Sequence, residues 1–236
     1  MTRLPKDRDT HLSSEEIAVE ALRQFDEGET EPSIRSLALA LKVAPSAIYH
    51  HFPSRAAIIE SAVERVWNEA TQGLLALVPE PFEADPAKVL VATGIASRRA
   101  WLAHYRLAPY LAASPQVNEF TRDALGLMSN LFERLGLKGE QVGAAFHSYG
   151  SFMIGSVLFT ASRRLANEQL AAQHAGDESE ADPDTAPTLG APSRSAERTR
   201  LSISEVVTVS ATDPARDEEL FAHGLQRLVD SLARAD

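Results

Sequence analysis

The stretch SIRSLALALKVAPSAIYHHFPSRAAII, residues 33–59, decides how this sequence folds. It contains no aspartate or glutamate, although the chain as a whole carries a formal net charge of −10. Its apolar residues recur at helical spacing and divide the stretch into a helix of about eight residues, a short connection and a second short helix. These are the proportions of a helix-turn-helix, whose second helix enters the major groove of DNA.

The second short helix has the side chains that a groove-reading helix needs. Small residues at 44–47 permit close approach to base edges, while Ile48 and Phe52 are predicted to face the core. The next helix begins near Arg55 and offers free backbone amides to a phosphate. The residue pattern alone leaves a second interpretation open, in which three ordinary core helices carry solvated histidines. The predicted DNA-binding residues are Ser33, Arg35, Lys42, Ala44, Pro45, Ser46, Ala47, Tyr49, His50, His51 and Arg55.

Composition narrows the remaining possibilities. The chain of 236 residues is 44% hydrophobic and contains no cysteine, so it can bury a core but has no disulfide or thiolate metal site. No uninterrupted apolar run approaches the roughly 20 residues of a membrane helix, and the N-terminus has no apolar signal segment. We therefore expect a cytoplasmic protein without a membrane partner.

Most of the chain is predicted to be helical. Ser13 and Glu16 form a capping box, Ser33 is the N-cap of the next helix, and Pro45 suits the first turn of the helix after it. Three further starts pair an N-cap residue with a proline in the first turn: Asp85-Pro86, Ser114-Pro115 and Asp213-Pro214. A long apolar helix is predicted at about 140–173. Residues 174–200 are rich in proline, alanine, serine and charge, which predicts a flexible loop. The segment LSISEVVTVS, residues 201–210, is interpreted as irregular or as a short extended piece.

The sequence has no recognisable catalytic motif. A Gly-x-Ser-x-Gly nucleophile elbow, a His-Glu-x-x-His metal pair and a phosphate-binding glycine-rich loop after a strand are all missing. The seven histidines are scattered apart from the pair at His50 and His51. We therefore predict that the protein is not an enzyme.

Residues 12–65 resemble the DNA-binding domain of the tetracycline-repressor (TetR) family. Lys42 stands where the family usually has glycine, and Arg55 stands where it usually has lysine. The resemblance therefore puts the backbone of the turn in question but retains the positive charge. The counterparts of the family pattern are Ser33, Ile34, Arg35, Leu37, Ala38, Leu41, Lys42, Val43, Ala47, Ile48, Tyr49, His51, Phe52, Arg55 and Ile58.

The resemblance implies an all-α fold with two domains. A three-helix helix-turn-helix domain would occupy residues 1–60, and a regulatory domain that binds a ligand and dimerises would occupy residues 61–236. Helices at about 140–173 and 213–234 would pair with their copies in a homodimer that binds a palindromic double-stranded DNA operator. Small residues on the first of these helices would allow close approach: Gly143, Ala144, Gly150, Gly155 and Ser156.

The resemblance also implies a small-molecule effector that releases the protein from DNA. The magnesium-binding histidine of tetracycline repressors would fall near Ala112 and an acidic residue at Phe159, so we predict no metal and no cofactor. The effector is expected to be a partly hydrophobic organic molecule. A regulator without a ligand, or an activator that works through a protein partner, remains the alternative. The predicted ligand-binding residues are Trp67, Trp101, His104, Tyr105, Tyr110, Asn130, His147, Tyr149, Phe152 and Met153.

Overall fold

The computed structural model describes residues 12–28, 31–113, 119–177 and 213–234, with the backbone alone at 112–113, 119–124 and 173–177. The helices are α1 (Ser14–Asp26), α2 (Ile34–Leu41), α3 (Pro45–His51), α4 (Arg55–Leu77), α5 (Pro86–Ala103), α6 (Ala108–Ala113), α7 (Glu119–Arg134), α8 (Glu140–Asp177) and α9 (Pro214–Leu232). A 3-10 turn, Tyr105–Leu107, connects α5 to α6. No strand occurs within the described ranges. The all-α prediction is confirmed.

Four predicted helix starts have the expected caps. The Ser13 hydroxyl accepts a hydrogen bond from the Glu16 amide at 3.1 Å, and the Glu16 carboxylate accepts one from the Ser13 amide at 2.8 Å. Ser33 caps α2, while Asp85 and Asp213 cap α5 and α9 ahead of a proline in the first turn. Each cap satisfies amides that have no partner inside the helix, which fixes where the helix begins.

Some predictions fall on residues that the structure does not describe. They are the helix start at Ser114-Pro115, the extended segment at 201–210 and most of the loop at 174–200. One boundary is corrected, because α8 continues to Asp177 instead of ending near residue 173.

The first three helices and the start of α4 enclose an apolar core. Ile17 on α1, Leu37 on α2, Ile48 and Phe52 at α3, and Ile58 on α4 are buried together. Burying a side chain of this size contributes roughly 1.5–3 kcal/mol, so these contacts hold three short helices that would be marginal alone. We call this unit, residues 12–60 of the described chain, the head.

Helix α4 passes from the head into a second apolar cluster. Ile58 packs in the head, whereas Ala62 and Val66 pack with Trp101 of α5. The rings of Trp67 and Trp101 meet edge to face with centroids 5.5 Å apart. Helices α4 and α5 are therefore in direct contact just beyond the head.

Helix α5 lies at the centre of the remaining helices and contacts α4, α7, α8 and α9. Gly94 allows the closest approach, since a Cβ there would lie 2.4 Å from Cδ2 of Leu225 on α9. The Tyr149 hydroxyl on α8 donates to the Leu90 carbonyl at 2.7 Å, and burial raises the pKa of Tyr149. The close packing at Gly94 holds α9 against α5, and the hydrogen bond from Tyr149 holds α8 against it.

A buried ionic network joins α5, α8 and α9. Arg98 on α5 donates to the carboxylate of Asp217 at 2.5 Å and to the hydroxyl of Thr160 at 3.0 Å. Its Nε donates to the Ser156 hydroxyl at 2.7 Å, and its guanidinium lies 4.7 Å from the ring centroid of Phe221. The charge is compensated on several sides, which a buried guanidinium requires.

Helix α8 carries an apolar face that is not covered by its own subunit. Its segment 140–172 is long and apolar enough to cross a membrane, by length and composition alone. Only 22% of its most apolar 18 residues are buried within the chain. Phe146 and Phe159 are exposed, and added Cβ atoms at Gly143, Gly150 and Gly155 would meet nothing within 4 Å. The face is apolar, exposed and lined by small residues.

Candidate nucleic-acid interface

The turn between α2 and α3 keeps a glycine-type backbone without a glycine. Lys42 ends α2 with φ 58° and ψ 40°, the left-handed conformation that costs an L-residue roughly 1–2 kcal/mol. The Val43 amide donates to the Ala38 carbonyl at 3.0 Å and closes the turn. The substitution identified in the sequence therefore leaves the turn intact and adds an exposed positive charge beside α3.

The exposed side of α3 carries the side chains predicted to read DNA. Tyr49 is 55% exposed, and Ser46 and His50 are exposed beside it. Ile48 and Phe52 are buried as predicted. Seven of the predicted DNA-binding residues are exposed: Ser33, Arg35, Lys42, Pro45, Ser46, Tyr49 and His50.

One predicted contact needs correction. Ala47 is 6% exposed and packs in the head core, so its side chain cannot reach a base edge. His51 is half-buried, with Nδ1 3.4 Å from the Ser14 hydroxyl of α1, and its contact with DNA stays a prediction. Sequence reasoning treated residues 44–47 as one exposed group, but on a helix Ala47 and Ile48 fall on the side that faces the core.

Arg55 is held by residues that the sequence did not implicate. Its Nε donates to the Pro32 carbonyl at 2.8 Å, and its Nη2 donates to the Glu31 carboxylate. Glu31 lies just before the acid-free stretch, 24 residues from Arg55. No local spacing indicates this pair, because the turn before α2 and the start of α4 meet only in the folded head.

Leu39 is a second surface residue that sequence reasoning missed. It lies on α2 and is 81% exposed, more than any other large hydrophobic side chain in the described residues. Leu37 and Leu41, on the other side of the same helix, are buried and half-buried. The helical period places Leu39 opposite them, so the signal was present in the apolar pattern.

Comparison with known protein families also indicates that the head is a DNA-binding domain. A family model described as bacterial regulatory proteins of the tetR family matches residues 17–62, from α1 to the first part of α4. The head is therefore similar to the DNA-binding part of tetR-family regulators, as the sequence predicts. No curated protein gives a significant sequence match.

Solved structures share the fold of this chain over nearly its whole length. Mycobacterium smegmatis BioQ aligns with a TM-score of 0.64 and 18% identity, covering 96% of this chain and 100% of that one. A TetR Q116A variant from Acinetobacter baumannii AYE in complex with minocycline gives 0.60 and 19%, covering 94% and 97%. Streptomyces coelicolor ActR in complex with actinorhodin gives 0.63 and 21%, covering 94% and 95%.

The predicted ligand-binding residues do not lie in one cluster. Trp67, Trp101, Tyr105 and Tyr110 belong to the apolar cluster between α4, α5 and α8. The predicted ligand-binding residues on α7 and α8 are divided between a second apolar cluster and the surface. Tyr149, Phe152 and Met153 belong to the cluster around Leu90, whereas Asn130 and His147 are exposed.

The polar groups of these residues are mostly satisfied within the chain. The hydroxyls of Tyr105, Tyr110 and Tyr149 donate to Glu168, Glu31 and the Leu90 carbonyl, respectively. The indole Nε1 of Trp101 is an exception, since it is buried without a hydrogen-bond partner. Asn130 and His147 are exposed in this conformation, and their part in ligand binding stays a prediction.

His104 connects the regulatory domain to the head. It ends α5, and its Nδ1 lies 2.8 Å from the Asp26 carboxylate of α1, while its Nε2 lies 2.9 Å from the Glu69 carboxylate of α4. The hydrogen bond to Asp26 is the largest cause of a raised His104 pKa; burial opposes it, and Glu69 adds to it. His104, predicted from the sequence to bind the ligand, is thus bonded on both ring nitrogens to carboxylates of the chain itself.

Two cavities lie beside these contacts. One of about 270 Å³ lies between α5, α8 and α9. The other, about 300 Å³, lies where α1 and the turn before α2 meet α6 and α8. Tyr110 is the one predicted ligand residue that lines either of them. The second cavity is lined by Phe25, Glu31, Arg106, Pro109, Tyr110 and Leu165.

Proposed function

We propose that the protein is a ligand-responsive repressor that binds a palindromic DNA operator as a homodimer. The observation that carries this proposal is the exposed surface formed by α2, the turn at Lys42 and α3. Arg35, Lys42, Ser46, Tyr49 and His50 are exposed there, and no carboxylate of residues 33–59 can repel the DNA backbone. Backbone contacts would position the head, and the side chains of α3 would read the bases.

The uncovered face of α8 supports the proposed dimer. This face is lined by small and apolar residues that a second copy would bury: Gly143, Phe146, Gly150, Gly155 and Phe159. Such a self-complementary contact is the usual arrangement in a two-fold dimer. Two heads on one dimer would then reach half-sites separated by about one helical turn of DNA or a multiple of it.

The ligand response is proposed on the fold and on the domain arrangement. We place the domain boundary near residue 60, where α4 leaves the head core for the cluster around Trp101. Two proteins of similar fold are complexes with minocycline and with actinorhodin. By analogy, a partly hydrophobic organic molecule bound in residues 61–236 would shift α4 and change the separation of the heads. We expect the regulator to act in the cytoplasm.

The test begins with DNA selected from a random duplex pool by the purified full-length protein. We expect a palindromic sequence, two protein chains per duplex by light scattering, and loss of the selection for the Tyr49→Ala variant. A chain that remains monomeric, or that selects a site without two-fold symmetry, would refute the proposal.

A second arm tests the ligand response. Partly hydrophobic compounds that raise the thermal midpoint of the protein are added to the protein–operator complex, and release is followed by fluorescence anisotropy. Release by at least one stabilising compound is expected. Compounds that stabilise the protein but never release the DNA would instead indicate a regulator that does not respond to a ligand.

A further inference from the structure

Glu31 lies at the point where the regulatory domain, the head and the start of α4 meet. One carboxylate oxygen accepts a hydrogen bond from the Tyr110 hydroxyl on α6, and the other accepts one from Nη2 of Arg55. The ring of Tyr110 also meets the ring of Phe25 on α1, with centroids 5.7 Å apart. Tyr110, Glu31 and Arg55 therefore form a continuous polar chain from the regulatory domain to the proposed DNA surface.

The direction of the Arg55 side chain is set by the two residues at this turn. Its Nε donates a hydrogen bond to the Pro32 carbonyl at 2.8 Å, while Nη2 can donate to a different acceptor. In this structure the partner is Glu31, and the carboxylate neutralises the guanidinium. A DNA phosphate would compete for the same nitrogen, because both are oxyanions that the guanidinium binds by charge-assisted hydrogen bonds.

We propose that Glu31 is a positioning residue that controls the charge Arg55 presents to DNA and that Tyr110 controls Glu31. While Tyr110 holds the carboxylate in place, Glu31 stays on Arg55 and limits its contact with phosphate. Displacement of α6 changes the hold on Glu31 and therefore the electrostatic contribution of the head. This inference rests on the proposed function, because it requires Arg55 to face the DNA backbone.

The chain offers matched variants for the test. Glu31→Gln removes the charge from Arg55, and Glu27→Gln removes one from the same end of α1, where the carboxylate pairs with Arg23. Tyr110→Phe removes the hydroxyl that holds Glu31. Tyr105→Phe removes a hydroxyl that donates to Glu168 within the regulatory domain. Thermal unfolding of each variant checks the fold.

Binding to random-sequence duplex DNA is measured over a series of salt concentrations, which requires neither the operator nor the effector. Glu31→Gln is expected to bind roughly three- to tenfold more tightly, with a steeper slope of log affinity against log salt. The increase in slope should be at most about 0.9, the value for one full phosphate contact, because Glu31 limits but does not abolish the contact that Arg55 makes. Tyr110→Phe should change both quantities in the same direction by less. It should have no further effect in the Glu31→Gln background, since residues that act through one another are not additive.

The controls separate this inference from the proposed function. Glu27→Gln and Tyr105→Phe are expected to leave the salt slope unchanged. The role of Glu31 would be overturned if Glu31→Gln and Glu27→Gln had equal salt slopes. The role of Tyr110 would be overturned if Tyr110→Phe had its full effect in the Glu31→Gln background as well. Failure of the wild-type protein to bind any duplex would refute the proposed function itself.

Discussion

The head and the regulatory domain are stabilised by different kinds of buried contact. The head core is apolar, its short helices are capped, and its charged side chains lie outside. In the regulatory domain, Arg98 and Asp217 are buried together between three helices. The difference indicates that charge in the head is kept at the surface, where DNA can use it, whereas charge in the regulatory domain fixes the helix arrangement.

Removing Asp217 gives the strongest test of this difference. Asp217→Ala leaves the buried guanidinium of Arg98 without its carboxylate, and loss of one partner of a buried pair costs about 3–5 kcal/mol. Urea unfolding at fixed protein concentration should show this loss. Hydrogen exchange should increase at the amides of α5, α8 and α9 before it increases in the head.

The matched control is Glu218→Ala on the same helix. Glu218 pairs with Arg99 at the surface, and exposed pairs contribute about 0–1 kcal/mol. If the two variants lose equal stability, burial does not distinguish the pairs and the contrast between the domains is lost.

The turn at Lys42 tests where strain lies in the head. Lys42→Gly relieves the left-handed strain but increases the freedom of the unfolded chain, so we expect a net gain of about 0.5–1 kcal/mol. Lys42→Ala removes the same charge while it retains the strain, and should give no gain. Equal unfolding midpoints for the two variants would show that the turn is not strained.

A smaller and pH-dependent effect is expected at His104, where the two domains meet. A folded-state pKa raised above the ordinary value of 6.5 means that the protonated ring stabilises the fold. This contribution is fully present below pH 6.5 and is lost as the pH rises through the folded-state pKa, because a neutral ring donates to one carboxylate only. Unfolding measured across that range should show the loss in wild type and not in His104→Gln. A His104→Gln variant that retains the full dependence would assign it to other groups.

The smallest expected change is in DNA preference. Ser46 is exposed at the start of α3, and Ser46→Ala should alter the ranking of selected operator variants while the affinity for random duplex DNA changes by less than about twofold, since the hydroxyl carries no charge. Arg55→Ala should do the reverse and flatten the salt dependence. Competition binding with operator variants measures both quantities, and equal shifts for the two residues would contradict the division.

Local signals predicted the head well. The capping residues Ser13 and Ser33, the apolar positions of α2 and α3 and the proline in the first turn of α3 each depend on neighbours within four residues. The same kind of signal predicted the starts of α5 and α9 at Asp85 and Asp213. Where short-range hydrogen bonds and helical periodicity determine a helix, its start and its buried face can be predicted from the sequence alone.

Contacts between distant residues were not predictable. Arg98 and Asp217 are separated by 119 residues, and His104 meets Asp26 and Glu69 across three helices. An aromatic or histidine on an amphipathic helix has the same pattern whether it lines a pocket, packs in a core or faces solvent. For that reason Asn130, His147 and Tyr149 were grouped together in sequence and separated in space.

The apolar face of α8 has a consequence for how much of this protein a cell can hold. Subunits that buried this face against each other, as in the proposed dimer, would be stabilised by mass action, so their folding would be linked to their own concentration. A subunit without a copy would keep Phe146 and Phe159 in water and would unfold more readily. In the proposed dimer, chains at low abundance would therefore be cleared faster than chains at high abundance, and turnover would set a lower limit on the working amount of the regulator.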